Sequence, residues 1–333
     1  MNKERILFFR PDHIGDLLLT TPVIHSLKKS FPEIDLTIVV GSWSLEVLKY
    51  NPYLNNVYVM DLPWLARGTK SSYFEMIKRI SQLRKSNYDH IFSFRISAKS
   101  AIVSLFLGGK KRWGFDVVKS KWAFAEKIHY DKSRHVVENY LDIVETFGAK
   151  RVNNGLEIFI KEEERLNFKK RFNLPNDYVI ISPGAGYSPK LWVSERWSEI
   201  ANWLSIDANV PVVFTGIKSE EFLIKEITSN VKGTFINLCG MLSLRELAIL
   251  IERCKLLLTV DSAAMHLAVA TKTPVIALFG YTNPDQWGPY PKSDEYIVLY
   301  KRLKNRRSEE SMKSIHIEDV KNAVELMFMK NII

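Results

Sequence analysis

Three short stretches of this chain carry residues whose types and spacing could hold a phosphate or move a proton. The first is Asp261-Ser-Ala-Ala-Met-His266-Leu-Ala, set between the apolar runs Lys255 to Val260 and Pro274 to Gly280. Each run reads as a buried strand and the segment between them as a short helix, so Asp261 and Ser262 are expected to cap its N-terminus at the carboxyl edge of a parallel sheet. A helix start there collects unpaired N–H groups and the positive end of the dipole, which suits a phosphate. The second stretch is Ser182-Pro-Gly184-Ala-Gly186-Tyr-Ser-Pro-Lys190-Leu-Trp192. Its glycines admit backbone N–H groups close to phosphate oxygens, and a flexible ammonium can neutralise a leaving diphosphate. A plain turn reads the same way, and the Gly-Lys-Ser/Thr of nucleotide triphosphatases is missing. The third is Arg10-Pro-Asp12-His-Ile-Gly15-Asp16-Leu-Leu-Leu-Thr-Thr-Pro22. Gly15 and Asp16 fall on the turn entering the first helix, where Asp16 is either an N-cap or a carboxylate facing the cleft at that edge.

Other residues narrow the chemistry. Gly216 follows a predicted strand, and Glu220 lies four residues later at a helix start, able to accept hydrogen bonds from ribose hydroxyls or merely to answer the helix dipole. The turn after the first strand lacks the Gly-x-Gly-x-x-Gly of dinucleotide binding, which disfavours hydride transfer. No Asp-x-Asp, His-Glu-x-x-His or Cys-x-x-Cys occurs, so no dedicated metal centre and no cofactor are expected. Trp192, Trp197 and Trp203 read as core more readily than as cleft lining. Cys239 and Cys254 read as buried reduced thiols.

The elements that must position these residues alternate throughout. In the first half, strands are predicted at Arg5 to Phe9, Asp35 to Val40, Val57 to Met60 and His90 to Phe94. Helices are expected near 16–30, 43–50, 71–86, 97–107 and 134–147. Residues 151–177 read as a connection with one exposed helix. A second alternation has strands at Tyr178 to Ser182, Pro211 to Thr215, Thr234 to Leu238, Lys255 to Val260, Pro274 to Phe279 and near Glu295 to Tyr300. Its helices fall near 196–206, 220–229, 243–253 and 262–271. The run Lys301 to Arg307 reads as a surface loop and His316 to Lys330 as a closing amphipathic helix. The pattern predicts an α/β chain of two doubly wound parallel-sheet domains, 1–150 and 178–315, the closing helix packing back on the first.

At 333 residues, 46% apolar and 25% charged, the composition suits a soluble two-domain protein. The short apolar run Ile6 to Phe9 is no signal peptide, and no apolar stretch reaches the roughly 20 residues that span a bilayer, which predicts a cytoplasmic chain. Net charge is +10, unevenly spread: residues 1–150 hold 23 Lys+Arg against 15 Asp+Glu, and residues 151–333 hold 24 against 22. A basic N-terminal half attracts anionic partners: nucleic acid, acidic headgroups or a phosphorylated substrate.

Taken together, Arg10 with Gly15-Asp16, Leu18-Leu19 and Thr21-Pro22, then Lys190-x-Trp192 before Arg196-Trp197, then Asp261-Ser-x-x-Met-His266-Leu-Ala resemble glycosyltransferase family 9, the ADP-heptose:lipopolysaccharide heptosyltransferases. Tyr88-Asp89, Lys99-Ser100, Lys111-Arg112-Trp-Gly114, Gly216 with Glu220, Leu238-Cys-Gly240 and Gly-x-Thr282-x-Pro284 follow in the family's order, from residue 5 to about 330. The resemblance implies a GT-B architecture, two Rossmann-like domains facing a cleft, and an inverting, metal-independent transfer of heptose from ADP-heptose to the inner core of lipopolysaccharide, on Kdo-lipid A or its heptosylated form. It implies Asp16 as catalytic base. The donor contacts it implies are Lys190 at the diphosphate, Glu220 with Gly216 at the ribose, Met241 against the adenine, and Asp261, Ser262, Ala263 and His266 at the sugar and phosphates. The anionic lipid-linked acceptor would meet Gly15, Arg10, Arg95, Lys99, Lys111 and Arg112, and the same basic face would rest peripherally on the inner membrane leaflet.

The chain departs from the family in having Ala263-Ala264 where Gly-Pro is usual and Val193 where Pro is usual. An alanine keeps its N–H at the helix start but restricts close backbone approach, which bears on donor geometry. Two other readings stand beside this one. A family 9 transferase acting on a protein or another surface glycan with a different nucleotide sugar fits the same motifs. A basic nucleic-acid-binding protein fits the charge, but it lacks any recognised binding motif and would set Asp16 and Asp261 against phosphates.

Overall fold

The computed structural model describes residues 3–65, 71–152, 154–301, 310–330 and 332–333. The chain divides into two compact units, Met1–Phe159 and Ile160–Ile333. The first is built from β1 (Arg5–Phe9), α1 (Ile14–Leu18), α2 (Thr21–Ser30), β2 (Asp35–Val40), a 3-10 segment Ser42–Leu48, β3 (Asn56–Val59), α3 (Tyr73–Arg84), β4 (His90–Ser93), α4 (Ala98–Phe106), β5 (Lys111–Phe115), a 3-10 turn Lys121–Ala123, β6 (Glu126–Ile128) and α5 (Val136–Phe147). The second has α6 (Glu162–Arg171), β7 (Val179–Ser182), a 3-10 turn Ser188–Lys190, α7 (Ser194–Asn202), β8 (Val212–Phe214), a 3-10 turn Lys218–Glu220, α8 (Glu221–Thr228), β9 (Phe235–Asn237), α9 (Leu244–Arg253), β10 (Leu256–Val260), α10 (Ala263–Thr271), β11 (Val275–Phe279), α11 (Pro284–Trp287), β12 (Tyr296–Tyr300), α12 (Glu310–Lys313) and α13 (Ile317–Met329).

Each unit holds one six-stranded sheet, ordered β3-β2-β1-β4-β5-β6 and β12-β11-β10-β7-β8-β9, with every pairing parallel. Parallel strands covered on both faces must be apolar throughout, which is why β7, β10 and β11 are continuous runs of buried side chains. Both orders are doubly wound. They reverse between β1 and β4 in the first unit and between β7 and β10 in the second, and ligands of such sheets collect at the carboxyl ends of the strands flanking that point.

Local sequence explains the departures from the predicted elements. The expected helix over 16–30 is two helices. Pro22, in the first turn of α2, has no N–H to donate and crowds the carbonyl four residues back, so the turn is broken after Leu18. Strands β5 and β6 were not anticipated. Helix α9 starts where expected, with a reciprocal capping box between Ser243 and Glu246, and α5 ends on Gly148 in the left-handed region at φ 112°.

Residues 152 and 154–157 run back over α2. The Val152 N–H donates to Ser26 Oγ at 3.0 Å and the Glu157 N–H to Thr21 Oγ1 at 2.9 Å. Glu157 Oε1 lies 2.9 Å from His25 Nδ1, and the His25 ring stacks on Tyr53 at 4.2 Å between centroids. Helix α6 belongs to the second unit: Arg165 makes a two-pronged contact with Glu252, both bonds 2.7 Å, and Arg245 holds Glu164. The closing helix α13 places Val320, Ala323, Val324 and Met327 in the second unit's core, packed on α7, β11 and β12, rather than returning to the first. Trp192 and Trp197 are buried there too, the Trp192 indole donating to the Ile315 carbonyl at 3.0 Å, and Trp203 packs partly buried against it. Cys239 and Cys254 are buried and unbridged. The basic run Lys301 to Arg307 lies, but for Lys301, outside the described residues. No helix among the described residues is long and apolar enough to cross a membrane.

Candidate functional site

In the first unit the residues leaving β1 and β4 form one ionic cluster at the sheet's carboxyl edge. Arg10 is 2% exposed and uses its whole guanidinium. Nη1 donates to Asp12 Oδ2 at 2.9 Å and Nε to Thr20 Oγ1 at 3.1 Å, while Nη2 donates to the Asp16 carbonyl at 3.1 Å and the Tyr140 hydroxyl at 2.7 Å. Nη2 also lies 3.4 Å from Asp16 Oδ1. Arg95, just past β4, donates to the other Asp12 oxygen. Asp12 is thus clamped between two guanidiniums, the pairing a buried carboxylate requires.

Asp16 is different. His13 holds the N-cap position of α1, so Asp16 is the third helical residue and not the cap that its sequence position allowed. Its side chain remains 25% exposed and shares only one edge of Arg10. Burial pushes its carboxyl above the usual range, Arg10 opposing, Asp12 adding, and His13 and Arg95 opposing further. A carboxylate raised in this way is a better proton acceptor than a free one.

The acceptor candidates do not all gather here. Gly15 is in α1 beside Asp16, and Lys99 is in the first turn of α4 at the same edge, its ammonium 5.4 Å over the Trp64 ring. Lys111 and Arg112 instead open β5. Lys111 is in register with His90, which is in register with Ile6, so it lies about 13 Å back along the strands from the level of Arg10 at roughly 3.3 Å per residue. Lys111 pairs with Glu126 at 3.6 Å, and Arg112 Nε donates to the Ala123 carbonyl at 3.0 Å. The expectation of a single five-cation face is therefore corrected to Arg10, Arg95 and Lys99.

In the second unit, the carboxyl ends of β7 and β10 bring Lys190 and Asp261 together, Nζ to Oδ2 at 2.7 Å. Asp261 is 7% exposed and also accepts from the Thr282 hydroxyl after β11. Neither Asp261 nor Ser262 caps α10 with its side chain: Ser262 holds the N-cap position without a capping bond, its hydroxyl 3.1 Å from Thr259 Oγ1. The helix start keeps its partial positive charge, with the Ala263 and Ala264 N–H groups in its first turn. His266 is one turn further on, buried among Met265 and Leu267.

Glu220 ends the turn after β8 and accepts the Ile217 N–H at 2.8 Å through Oε2. Burial raises its carboxyl, the Ile217 bond opposing. The carboxylate lies against two glycines: a Cβ added at Gly184 would sit 2.2 Å from its carboxyl carbon, and one at Gly216 2.8 Å from Oε2. Gly240 donates its N–H to the Gly216 carbonyl at 2.9 Å, and Met241, which follows it, is 50% exposed. The sheet edge therefore carries a carboxylate and an exposed thioether on one side and an ammonium with an uncapped helix start on the other, suited to a diol, an aromatic base and a diphosphate. Substituting Gly184→Ala should drive Glu220 off the Ile217 N–H. The expected result is a donor KM raised about ten-fold, the value of one charge-assisted hydrogen bond, with kcat and melting temperature nearly unchanged in steady-state and thermal assays.

Asp12, Thr20, Tyr140 and Thr282 are given no role at the site by the sequence. All but Tyr140 sit inside the motifs quoted above. Tyr140 reaches Arg10 from α5, 130 residues away, with no local signal. Among the described residues no group of three or more His, Cys, Asp or Glu is placed to hold a metal ion.

Comparison with known proteins follows the same lines. Residues 76–316 match the family model for glycosyltransferase family 9 (heptosyltransferase). The lipopolysaccharide core heptosyltransferase OpsX of Haemophilus influenzae is 24% identical over 303 residues, spanning 89% of this chain and 85% of its own. A family 9 glycosyl transferase structure from Veillonella parvula gives a TM-score of 0.84 at 24% identity, covering 98% of this chain and 97% of that one. The structure of Escherichia coli ADP-heptose lipopolysaccharide heptosyltransferase II gives 0.81 at 24%, covering 98% and 99%. At these identities the structural likeness establishes the fold class, GT-B, each unit being Rossmann-like.

Proposed function

Because the chain belongs to glycosyltransferase family 9, we propose that it transfers a heptose from ADP-heptose to the inner core of lipopolysaccharide, on a Kdo-lipid A acceptor or its heptosylated form. The observation that carries the reading is the Lys190–Asp261 pair, 2.7 Å apart, beside the α10 start that no side chain caps. That arrangement offers a mobile ammonium and free backbone dipoles to a leaving diphosphate. The names of the relatives, lipopolysaccharide core heptosyltransferase and ADP-heptose heptosyltransferase, support this donor and acceptor.

In the proposed reaction an acceptor hydroxyl attacks the anomeric carbon from the face opposite the ADP, so the configuration inverts. Asp16 takes the hydroxyl proton as the new C–O bond forms, and the bond to the β-phosphate oxygen breaks with its electron pair leaving on ADP. Lys190 and the N–H groups of residues 262–264 meet the charge that develops there. Glu220 accepts from the ribose hydroxyls and Met241 packs against the adenine. Arg10 and Arg95 fix Asp12 and steer Asp16, and Lys99 meets an acidic group of the acceptor.

The deciding experiment incubates the purified protein with ADP-heptose and Kdo-lipid A and follows ADP release and the mass of the lipid product. A heptose added to the lipid, with ADP formed in equal amount, is the expected outcome. Turnover with another nucleotide sugar and none with ADP-heptose would replace the donor, and would point to Ala263-Ala264 as the place where the donor site differs.

A further inference from the structure

Two tyrosines stand beside the Lys190–Asp261 pair without belonging to the second unit's core. Tyr187 holds the N-cap position of the 3-10 turn Ser188–Lys190, and its carbonyl accepts the Lys190 N–H at 3.0 Å. Tyr281 follows β11 and directly precedes Thr282, whose hydroxyl donates to Asp261 Oδ2. Both rings are thus carried by turns tied to the same carboxylate, one through Lys190 and one through Thr282. Their centroids lie 4.9 Å apart, with the planes at 68°. Strands β7 and β11 are not neighbours: β10 lies between them, which sets them roughly 10 Å apart at the usual spacing of paired strands. The rings therefore meet across the carboxyl end of β10, where Asp261 leaves the strand and α10 begins.

Core packing does not account for the pair. Tyr187 is 49% exposed and Tyr281 partly so, whereas Trp192 and Trp197 nearby are buried. What the rings face follows from the order of the strands. Along the carboxyl edge β9, β8, β7, β10 and β11 succeed one another, and the groups leaving them are Met241, Glu220, Lys190, Asp261 and the Tyr281–Thr282 turn. The proposed donor follows that line, with adenine at Met241, ribose at Glu220, and diphosphate at Lys190 and the α10 start. The next position along it, past the β-phosphate, is the tyrosine pair. A group held there is the one joined to the β-phosphate, which is the sugar to be transferred. Pyranose rings carry C–H groups on their faces and hydroxyls at their rims. An aromatic face laid against the C–H groups excludes water and leaves the hydroxyls to polar partners. Two rings inclined at 68° leave an open corner, which takes a pyranose face on one side and an exocyclic carbon arm on the other.

We propose that Tyr187 and Tyr281 form the aromatic wall against which the donor's sugar packs, and that they set which sugars the site accepts: pyranoses with an apolar ring face and an exocyclic carbon arm. The assignment rests on the donor reading above for the course of the nucleotide along the edge. The wall holds the sugar ring, while the Lys190 ammonium and the α10 start hold the phosphates. Substitution at the tyrosines therefore changes what the sugar adds to binding and leaves what the nucleotide adds.

Calorimetric titration of the full chain with ADP-heptose, ADP-glucose and ADP, in the absence of acceptor, tests this. Wild type should bind one or both of the ADP-sugars more tightly than ADP. Tyr187→Ala and Tyr281→Ala should each weaken that ADP-sugar about ten-fold, through loss of an aromatic face and the area it covers, and leave ADP within about two-fold. Tyr187→Phe and Tyr281→Phe should retain most of the wild-type affinity, because the ring faces survive. If circular dichroism shows an alanine variant unfolded, the leucine variant at that position, which keeps bulk and loses the flat face, decides in its place. ADP weakened as much as the ADP-sugar would mean that the pair only braces the turn of Lys190, and would overturn the proposal. So would an ADP-sugar affinity unmoved by these variants, or a wild type that binds neither ADP-sugar better than ADP. If the sugar's contribution is lost as expected but no heptose reaches Kdo-lipid A, the functional reading fails and the wall stands. If heptose is transferred and the variants bind as wild type does, the wall alone fails.

Discussion

Replacing Asp16 with alanine is expected to lower turnover by about 10²- to 10⁴-fold, the contribution of a positioned general base, while the protein stays folded. The geometry separates this role from a structural one. His13 holds the cap position, Asp12 takes both guanidiniums, and Asp16 keeps part of its carboxylate in solvent, where a hydroxyl can reach it. The pH profile of kcat/KM should fall on the acid side at a value above that of an ordinary aspartate, because burial raises this carboxyl. Asp16→Asn gives a sharper separation. A carboxyl whose folded value lies above its unfolded one stabilises the protein only below the unfolded value, and that contribution is lost as pH rises through the folded value. Above the folded value the ionised Asp16 therefore costs stability. Asp16→Asn should melt slightly above wild type there, with the gap closing as pH falls toward the unfolded aspartate value, and should turn over as slowly as the alanine variant. Near wild-type turnover by either variant would remove Asp16 from the mechanism.

Replacing Lys190 with alanine is the second large effect. A preorganised cation lost from a developing oxyanion lowers kcat about 10²- to 10³-fold. Here the loss has a structural component as well, because Asp261 is 8% exposed in its side chain and would keep only the Thr282 hydroxyl of its two charge-compensating contacts. Truncating one partner of a fully buried pair costs about 3–5 kcal/mol; Lys190 is 24% exposed, so water screens part of this and the melting temperature should fall by less. The double variant Lys190→Ala with Asp261→Asn removes the stranded charge. It should regain most of the lost melting temperature and none of the lost turnover. Recovery of both together would mean that Lys190 serves only to neutralise Asp261.

Much of this was legible in the sequence, and what was not has physical reasons. The strands of the second unit were readable to within about a residue at most ends because a parallel strand covered on both faces is a bare apolar run, and Leu256 to Val260 could be little else. Strand β5 is Lys-Arg-Trp-Gly-Phe, two cations and a glycine, and β6 is only Glu-Lys-Ile; neither carries a period that would reveal it. The cost of missing β5 was specific. Without a strand there was no edge to assign, and Lys111 and Arg112 were grouped with cations at the opposite end of the sheet. Lys190, Asp261, Gly216 and Glu220 come to the carboxyl edge of the sheet because each follows a strand, so knowing the strand locates the residue. Asp16 lies at the same kind of edge, but its place depends on three residues of helix phase, and the position of His13 excludes the cap. Tyr140 and the Thr282 hydroxyl act across the fold, through contacts that no local pattern encodes.

The bonds that bind residues 152 and 154–157 to α2 bear on how the two halves should be separated for study. A first half ended at residue 150 would leave Thr21, Ser26 and His25, all nearly buried, facing water without the groups that now satisfy them. The same cut would give the second half a segment with no place in its core. Dividing the gene between the codons for Phe159 and Ile160 keeps every one of those bonds within one product, and lets ADP-sugar binding be measured on a second half that retains both α6 and α13.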